Sequence, residues 1–453
     1  MTEENGARLA EIQRTLLSGA RGGKPLDELY HPADIAASIS RLEDDQSMLK
    51  AFLATGVEMG SQILPLLDDH VRELILNNTD PETLAEIIGE MNTDDAADMV
   101  GEMEEEVAEE VLEATDMQVV QEVSRLAQYP PETAGGIMQT ELLAARQGMT
   151  LDEVIMLLRS MSQTSRDVYN VFVVDMEGKL IGVTPIIELL LHYGGKKIGE
   201  LVDESHPPLF VYADEDQENV AKIFKKYDVI SLAVVDRQMM LLGRILIDDI
   251  VDVMVEEADE DIMKMAGAND EVLYKSTSTL EMARHRLPWL AASLVGGFLT
   301  GGLIWYFQGT LEGVMALATF IPIVMGLSGN VGTQSSTLVV RGMATGRLDT
   351  GSLSGFLFKE FMVGIILSLA CGILSGVGAA IWHGSVELGL ILGGSIFLAI
   401  NLAAFLGTLI PLIFNRIKVD PAVAGGPMVL ALNDITSLLI FLSVATFLIH
   451  LLK

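Results

Sequence analysis

The chain has 453 residues, half of them apolar, and a formal net charge of −34 from 29 Lys and Arg against 63 Asp and Glu. The charge is unevenly spread: residues 287–453 carry six basic and six acidic side chains, so the whole imbalance, 23 basic against 57 acidic, lies in residues 1–286. This excludes a single soluble domain and a nucleic-acid binder working through a net basic surface. The single cysteine, Cys371, excludes an intrachain disulfide framework and a Cys-based zinc site.

In chain order, the first residues (MTEENGARLAEIQRTLL) are polar and mixed in charge, with no basic region followed by an apolar core. No signal peptide is expected, and the first half should stay in the cytoplasm. Residues 25–128 read as short helices with an internal echo. HPADIAASI, PETLAEIIGEM and DDAADMVGEM each set an acidic residue beside apolar ones at helical spacing, which predicts a helical-repeat stack. Residues 135–256 contain a second repeat. A β-branched run ends in Val174-Asp175 and again in Val235-Asp236, each followed seven residues later by Gly182 or Gly243. Strand, turn, strand, helix, twice, predicts an α/β tandem. Residues 262–286 are expected to form one long connecting helix.

Five apolar stretches follow, near 287–307, 314–340, 356–381, 388–414 and 421–450. Each is long enough to cross roughly 30 Å of hydrocarbon at about 20 residues. Pro322, Gly326, Gly329, Pro411 and Pro427 predict bends, and the Gly-rich part of the second stretch predicts a break that lines a wet cavity. Arg284, Arg286, Arg341, Arg347, Lys359, Arg416 and Lys418 flank alternate loops, whereas QGTLEG and WHGSVE hold no Lys or Arg. The positive-inside rule then puts the N-terminus in the cytoplasm and the C-terminus outside.

The order of these parts, with several motifs, resembles the MgtE family of magnesium channels. The motifs are YPPETAGGIM at 129–138, Arg286-Leu287-Pro288-Trp289-Leu290, Ser328-Gly329-Asn330-Val331-Gly332-Thr333-Gln334-Ser335, and Asp420-Pro421-Ala422 with Gly426-Pro427 and Asp434. The tandem resembles a pair of CBS domains. The resemblance covers essentially the whole chain. It implies a multi-domain membrane protein: an all-α N domain (1–130), tandem α/β CBS domains (131–261), a connecting plug helix (262–286) and a five-helix pore domain (287–453). It further implies a homodimer in lipid of an inner membrane, a Mg2+ pore built from spans two and five, and a cytosolic gate that closes when Mg2+ is abundant. The sequence departs from the family at Thr333, where Asn is frequent. In the CBS units Leu246 replaces a Ser or Thr ahead of Asp249, and Thr184 stands one place early, which argues against ATP there.

Among individual residues, Asp434 is the sharpest signal. A carboxylate this deep in an apolar stretch costs at least ~2.5 kcal/mol, and no Lys or Arg in a span is available to pair with it. A pore for Mg2+ attracts the hydrated ion with charge and holds its waters with carbonyls and amides. Asp434 from each of two subunits is the expected ring. Asn330, Thr333 and Gln334 are candidates to line the path, with helix–helix packing an equal alternative. Glu360, beside Lys359, reads as an interfacial ion pair or a snorkelling charge rather than a pore residue, and Glu312 as an outer-mouth charge. For the regulatory ions, the acidic run of 248–261 offers Asp249, Asp252, Glu257, Glu260 and Asp261, and Asp94, Asp95, Asp98, Asp216 and Asp228 are available to face it. No EF-hand spacing occurs, so such sites would be assembled between segments. The competing reading of the run is a solvated acidic face.

No GxxxxGK[ST], HExxH or GxSxG motif occurs and the histidines show no ligand spacing, so an enzyme is not expected. The alternatives are an ion-coupled carrier of Mg2+ or Co2+ with Asp434 as proton carrier, and a membrane-anchored sensor without transport.

Overall fold

The computed structural model describes residues 2–18, 29–161, 168–192, 195–203, 207–268, 279–346, 348, 353–424 and 426–452. They divide into two compact units, 1–256 and 257–453.

Among the described residues the first unit begins with nine α-helices: α1 (Thr2–Ser18), α2 (Pro32–Ile39), α3 (Asp45–Leu53), α4 (Val57–Ile63), α5 (Asp69–Asn78), α6 (Pro81–Gly89), α7 (Thr93–Glu102), α8 (Glu105–Ala114) and α9 (Met117–Leu126). The caps explain their starts. Asp44 accepts from Ser47 N–H and Asp80 from Thr83 N–H, both at 2.8 Å, and Pro32 and Pro81 take first-turn positions where no amide is needed. The three echoing segments are α2, α6 and α7. Several helices pack against the one two places along (α2 on α4, α4 on α6, α6 on α8, α7 on α9), which makes a stack around Ile35, Ile39, Phe52, Ile63, Ile75 and Ile88.

Among the described residues two three-stranded sheets follow. The first holds β1 (Leu143–Arg146), β2 (Asn170–Val174) and β3 (Leu180–Pro185), with helices α10 (Leu151–Met161) and α11 (Ile187–Leu191). The second holds β4 (Phe210–Tyr212), β5 (Ser231–Val235) and β6 (Leu241–Leu246), with α12 (Gln217–Tyr227) and α13 (Ile247–Ala266). In each sheet the first pair is parallel and the second antiparallel. The second and third strands of the two sheets are displaced by 61 residues, as the repeat required. The first strands and their helices do not keep that offset, which is why the repeat did not reveal them. The motif at 129–138 lies ahead of the first sheet in sequence but is laced onto the second. Gly135 N–H donates to Ala213 at 2.8 Å, and Gln139 and Arg244 exchange backbone hydrogen bonds at 2.7 and 2.9 Å. Gly135 and Gly136 are required there, because a side chain would run into the Tyr129 ring or the Pro130–Pro131 backbone.

The second unit contains α14 (Thr279–Tyr306), a short α15 (Gln308–Gly313), α16 (Ile321–Ala344), α17 (Leu353–His383), α18 (Val386–Arg416) and α19 (Pro427–Leu452). Among the described residues five helical stretches are long and apolar enough to cross a membrane, Met282–Tyr306, Met315–Ala344, Leu353–His383, Val386–Arg416 and Pro427–Ile449. Two expectations are corrected. The stretch 262–286 is not one helix: α13 stops at Ala266, Gly267 takes a left-handed φ of +71°, and Ala268 N–H closes back on Met263 at 2.9 Å. Residues 269–278 lie outside the described residues, and 279–286 already belong to α14. The second span is not broken either. α16 runs continuously through Gly326, Gly329 and Gly332, and Pro322 sits in its first turn, where it removes no helical hydrogen bond. α18 is the hub and packs on α16, α17 and α19.

Candidate ion sites

In the first unit the structure gathers carboxylates from two helix N-termini. Asp94 and Asp95 lie in the first turn of α7, Asp248 and Asp249 in the first turn of α13. Both positions suit negative charge, because unpaired helical N–H groups point at it. Glu141 adds another: it accepts from Thr93 N–H at 3.2 Å and Thr93 Oγ1 at 3.0 Å. The Gln139 amide donates to Asp249 Oδ2 at 3.4 Å, and Leu246 N–H donates to the same oxygen at 3.2 Å.

This proximity is costly. Burial, with Asp95 and Gln139 hydrogen bonds acting against it, pushes Asp94 up to about 6. Burial and then the charges of Asp94 and Asp98 push Asp95 up to about 8, and burial and then Asp94 push Asp98 up to about 7. Asp249 rises to about 8 from burial and from Asp94 and Asp248. Asp252 is also raised, by burial and by Asp248. Arg72 offsets part of this at Asp98, but it is already held by Asp69 at 2.5 Å and Glu102 at 2.7 Å. Asp94 Oδ1 is buried without a hydrogen-bond partner. The competing reading, a solvated face, does not describe this part of the run, which is a half-dry anionic surface short of positive charge.

Not every candidate joins it. Asp216 caps α12 by accepting from Glu218 N–H at 2.9 Å, and Asp228 ends that helix with a left-handed φ of 51°. Glu257, Glu260 and Asp261 lie further along α13, in the second unit, where Glu260 pairs with Lys264. Among the described residues no three Asp, Glu, His or Cys side chains form a ready-made coordination set. Sequence reading left out Glu141, which stands apart from any charge run.

In the second unit, Asp434 is the eighth residue of α19 and faces Gly329 of α16: a Cβ built on Gly329 would lie 3.7 Å from Asp434 Oδ1 and 2.7 Å from Leu430. One turn on, a Cβ on Gly332 would collide with the amide of Asn433, and one on Gly407 of α18 with the Gly332 carbonyl. These glycines let three helices close around Asn433, which is wholly buried with no hydrogen-bond partner on either polar atom. The continuous α16 therefore has two polar faces. Ser328, Gly329, Gly332 and Ser335 are buried against other helices, while Asn330 and Gln334 are exposed and Thr333 half-exposed. Glu360, read as an interfacial ion pair or a snorkelling charge, accepts from Ser335 Oγ at 2.7 Å and ties α17 to α16.

Gly332→Val should force α16, α18 and α19 apart, an overpacking cost of roughly 1–3 kcal/mol. The detergent-solubilised variant is expected to melt several degrees lower by thermal size-exclusion. Gly326→Val, in open space, should melt with the wild type.

The comparisons agree with this layout. Residues 30–132 match the MgtE intracellular N domain, 198–256 the CBS domain and 321–444 the MgtE divalent cation transporter domain. The chain is 34% identical over 330 residues to the magnesium transporter MgtE of Bacillus subtilis and 36% identical over 330 residues to that of Thermus thermophilus, covering 72% of each chain in both cases. Its fold is similar to the soluble part of a magnesium transporter (TM-score 0.50, 25% identity, 57% of this chain and 100% of that one). It is equally similar to the cytosolic domain of the Mg2+ channel MgtE solved with ATP (TM-score 0.50, 29% identity, 54% and 99%). The helical N domain, the paired CBS sheets, the five long apolar helices and these relatives together lead to one assignment: the chain belongs to the MgtE family of magnesium transporters.

Proposed function

We propose that this chain is a Mg2+-selective channel for uptake across the cytoplasmic membrane, working as a homodimer and closed by Mg2+ binding to its acidic cytosolic region. The observation that carries the pore is Asp434 beside Gly329, next to an α16 face whose amides Asn330 and Gln334 are uncovered in the single chain. Amides facing hydrocarbon are expensive, so that face needs water or a second subunit. The carboxylates keep the ion's waters and Thr333 adds a further oxygen.

The gate rests on the α7–α13 carboxylates. Without cations they repel one another and resist compaction; as Mg2+ rises it neutralises them, and the compact form gains by mass action. Lacking a ready-made coordination set, the cluster would hold an ion partly through its waters. Asp94, Asp95, Asp98, Asp249 and Asp252 are the groups for this role; Asp216 and Asp228 act as caps. Exposed apolar side chains on α11 (Ile187, Leu190, Leu191) and α13 (Val251, Val255) supply a surface for the second copy. The basic residues of alternate loops support an N-terminus on the cytoplasmic side.

A cleft of about 810 Å³ is lined by both CBS copies, including Tyr169, Asp203, Tyr227 and Asp228. Its volume suits a nucleotide. ATP would have at most a modulating role there, since Thr184 is buried and does not line the cleft.

Inside-out patches of the full-length protein, with Mg2+ in the pipette and varied in the bath, test the reading. Current carried by Mg2+ without a proton gradient, falling as bath Mg2+ passes through the millimolar range, is expected. Strict proton coupling would instead make it a carrier, and a current indifferent to bath Mg2+ would remove the gate.

A further inference from the structure

The second unit holds an ion pair that the carboxylate cluster does not involve. Lys264, in the last turn of α13, places Nζ 2.5 Å from Glu260 Oε1 one turn back. The same Nζ lies 2.7 Å from Asp420 Oδ2, in the turn that precedes α19. Asp420 is itself fixed, since its Oδ1 accepts from Ala422 N–H at 2.8 Å. Burial alone would favour loss of the lysine's proton. The bonds to Asp420 and Glu260 outweigh it and raise the group's pKa, so the ammonium stays charged throughout the physiological range.

The backbone beyond it is fitted to the same turn. A side chain on Gly267 would meet the Pro427 ring, and one on Gly426 would run into the Met265 carbonyl. Pro427 begins α19, the helix that carries Asp434. The C-terminal end of α13 therefore seats closely on the turn leading into that helix, with a positive charge at the negative end of the helix dipole.

We propose that Lys264 is a tethered cation that latches the end of α13 onto the turn before α19, so that closure of the pore has a component that needs no divalent ion. The proposal rests on the gated-channel reading and adds to it: Mg2+ completes a closure that the lysine already biases. Removing the ammonium leaves Glu260 and Asp420 facing each other without a counter-charge, which opens the joint when no metal is present.

The test uses full-length protein in inside-out patches, with Mg2+ in the pipette and EDTA in the bath. Lys264→Met and Asp420→Asn are each expected to raise the metal-free current about tenfold, a typical coupling between two sites. The double variant should rise no further than either single one, because both changes cut the same link. Lys264→Arg should stay within twofold of wild type. Metal-free currents within twofold of wild type in both Lys264→Met and Asp420→Asn would overturn the latch. Should Lys264→Met not fold, Asp420→Asn decides alone. A wild-type current that ignores bath Mg2+ would sink the magnesium gate, yet the metal-free comparison would still decide the latch.

Discussion

Replacing Asp434 by Ala is expected to lower Mg2+ flux into proteoliposomes by at least about 100-fold, read with a Mg2+-sensitive dye. Asp434→Asn should fall as far, because it keeps the shape and removes the charge. Asp434→Glu should retain a fraction of the flux. A divalent ion entering a membrane depends on charge set in a low-dielectric wall, and an amide in that place supplies only a dipole. Folding is separable from function here. A carboxylate inside a span costs roughly 2.5–3.5 kcal/mol, so its removal should leave the melting temperature unchanged or higher. A folded Asp434→Ala protein with flux within threefold of wild type would end the pore assignment.

The second large effect concerns the α7–α13 carboxylates. Asp95 and Asp249 rise from the ordinary 3.8 to about 8 in the folded protein. A raised acid favours the folded state while it is protonated. Its cost is absent below the unfolded value, grows as pH climbs through the interval, and is complete above the folded value. In EDTA, therefore, the segments 93–102 and 247–256 should open more readily as pH goes from about 5 to about 8.5. Each pKa unit corresponds to about 1.4 kcal/mol, so even a fraction of these rises lowers the protection factors of these amides about a hundredfold. Saturating Mg2+ should flatten the dependence. Asp95→Asn with Asp249→Asn should flatten it without metal and, with the repulsion that Mg2+ neutralises already relieved, should lower the Mg2+ needed for half-closure at least tenfold. Protection factors in EDTA, taken relative to the intrinsic exchange rate at each pH, that stay level across this range would show that the cluster is not charge-strained.

Much of this was open to sequence reading, for stated reasons. The charge split marked off the membrane half because an apolar helix has to be about 20 residues long to cross. The 61-residue offset located β2, β3, β5 and β6, since the β-branched runs and the Gly after each turn are local features. Asp434 stood out for its surroundings alone. Other features depended on distance. Asp249 looked like one member of an exposed acidic face, and only the approach of Asp94 and the Gln139 amide makes it half-dry. Glu360 looked like the neighbour of Lys359, yet its partner is Ser335, 25 residues away in sequence. The glycines of α16 suggested a break by composition. They serve close helix contact instead, because α18 and α19 bring Gly407 and Asn433 against them. The connecting segment misled for a local reason: Gly267 can end a helix whose neighbours on both sides favour one.

The segment 133–139 binds the second CBS sheet through Ala213 and Arg244, and β6 of that sheet runs directly into α13. The duplicated modules have consequently lost their equivalence. One copy has been conscripted as a mount, with a strip of foreign backbone stitched across it and the outgoing helix welded to its edge. The other copy is crossed in its turn by residues 196–199, bonded to Gln147, Met149 and Leu151, but the helix it sends out, α11, stops after five residues. An exchange of the two copies by recombination would preserve every strand and still unhook the acidic helices from the helix they have to oppose.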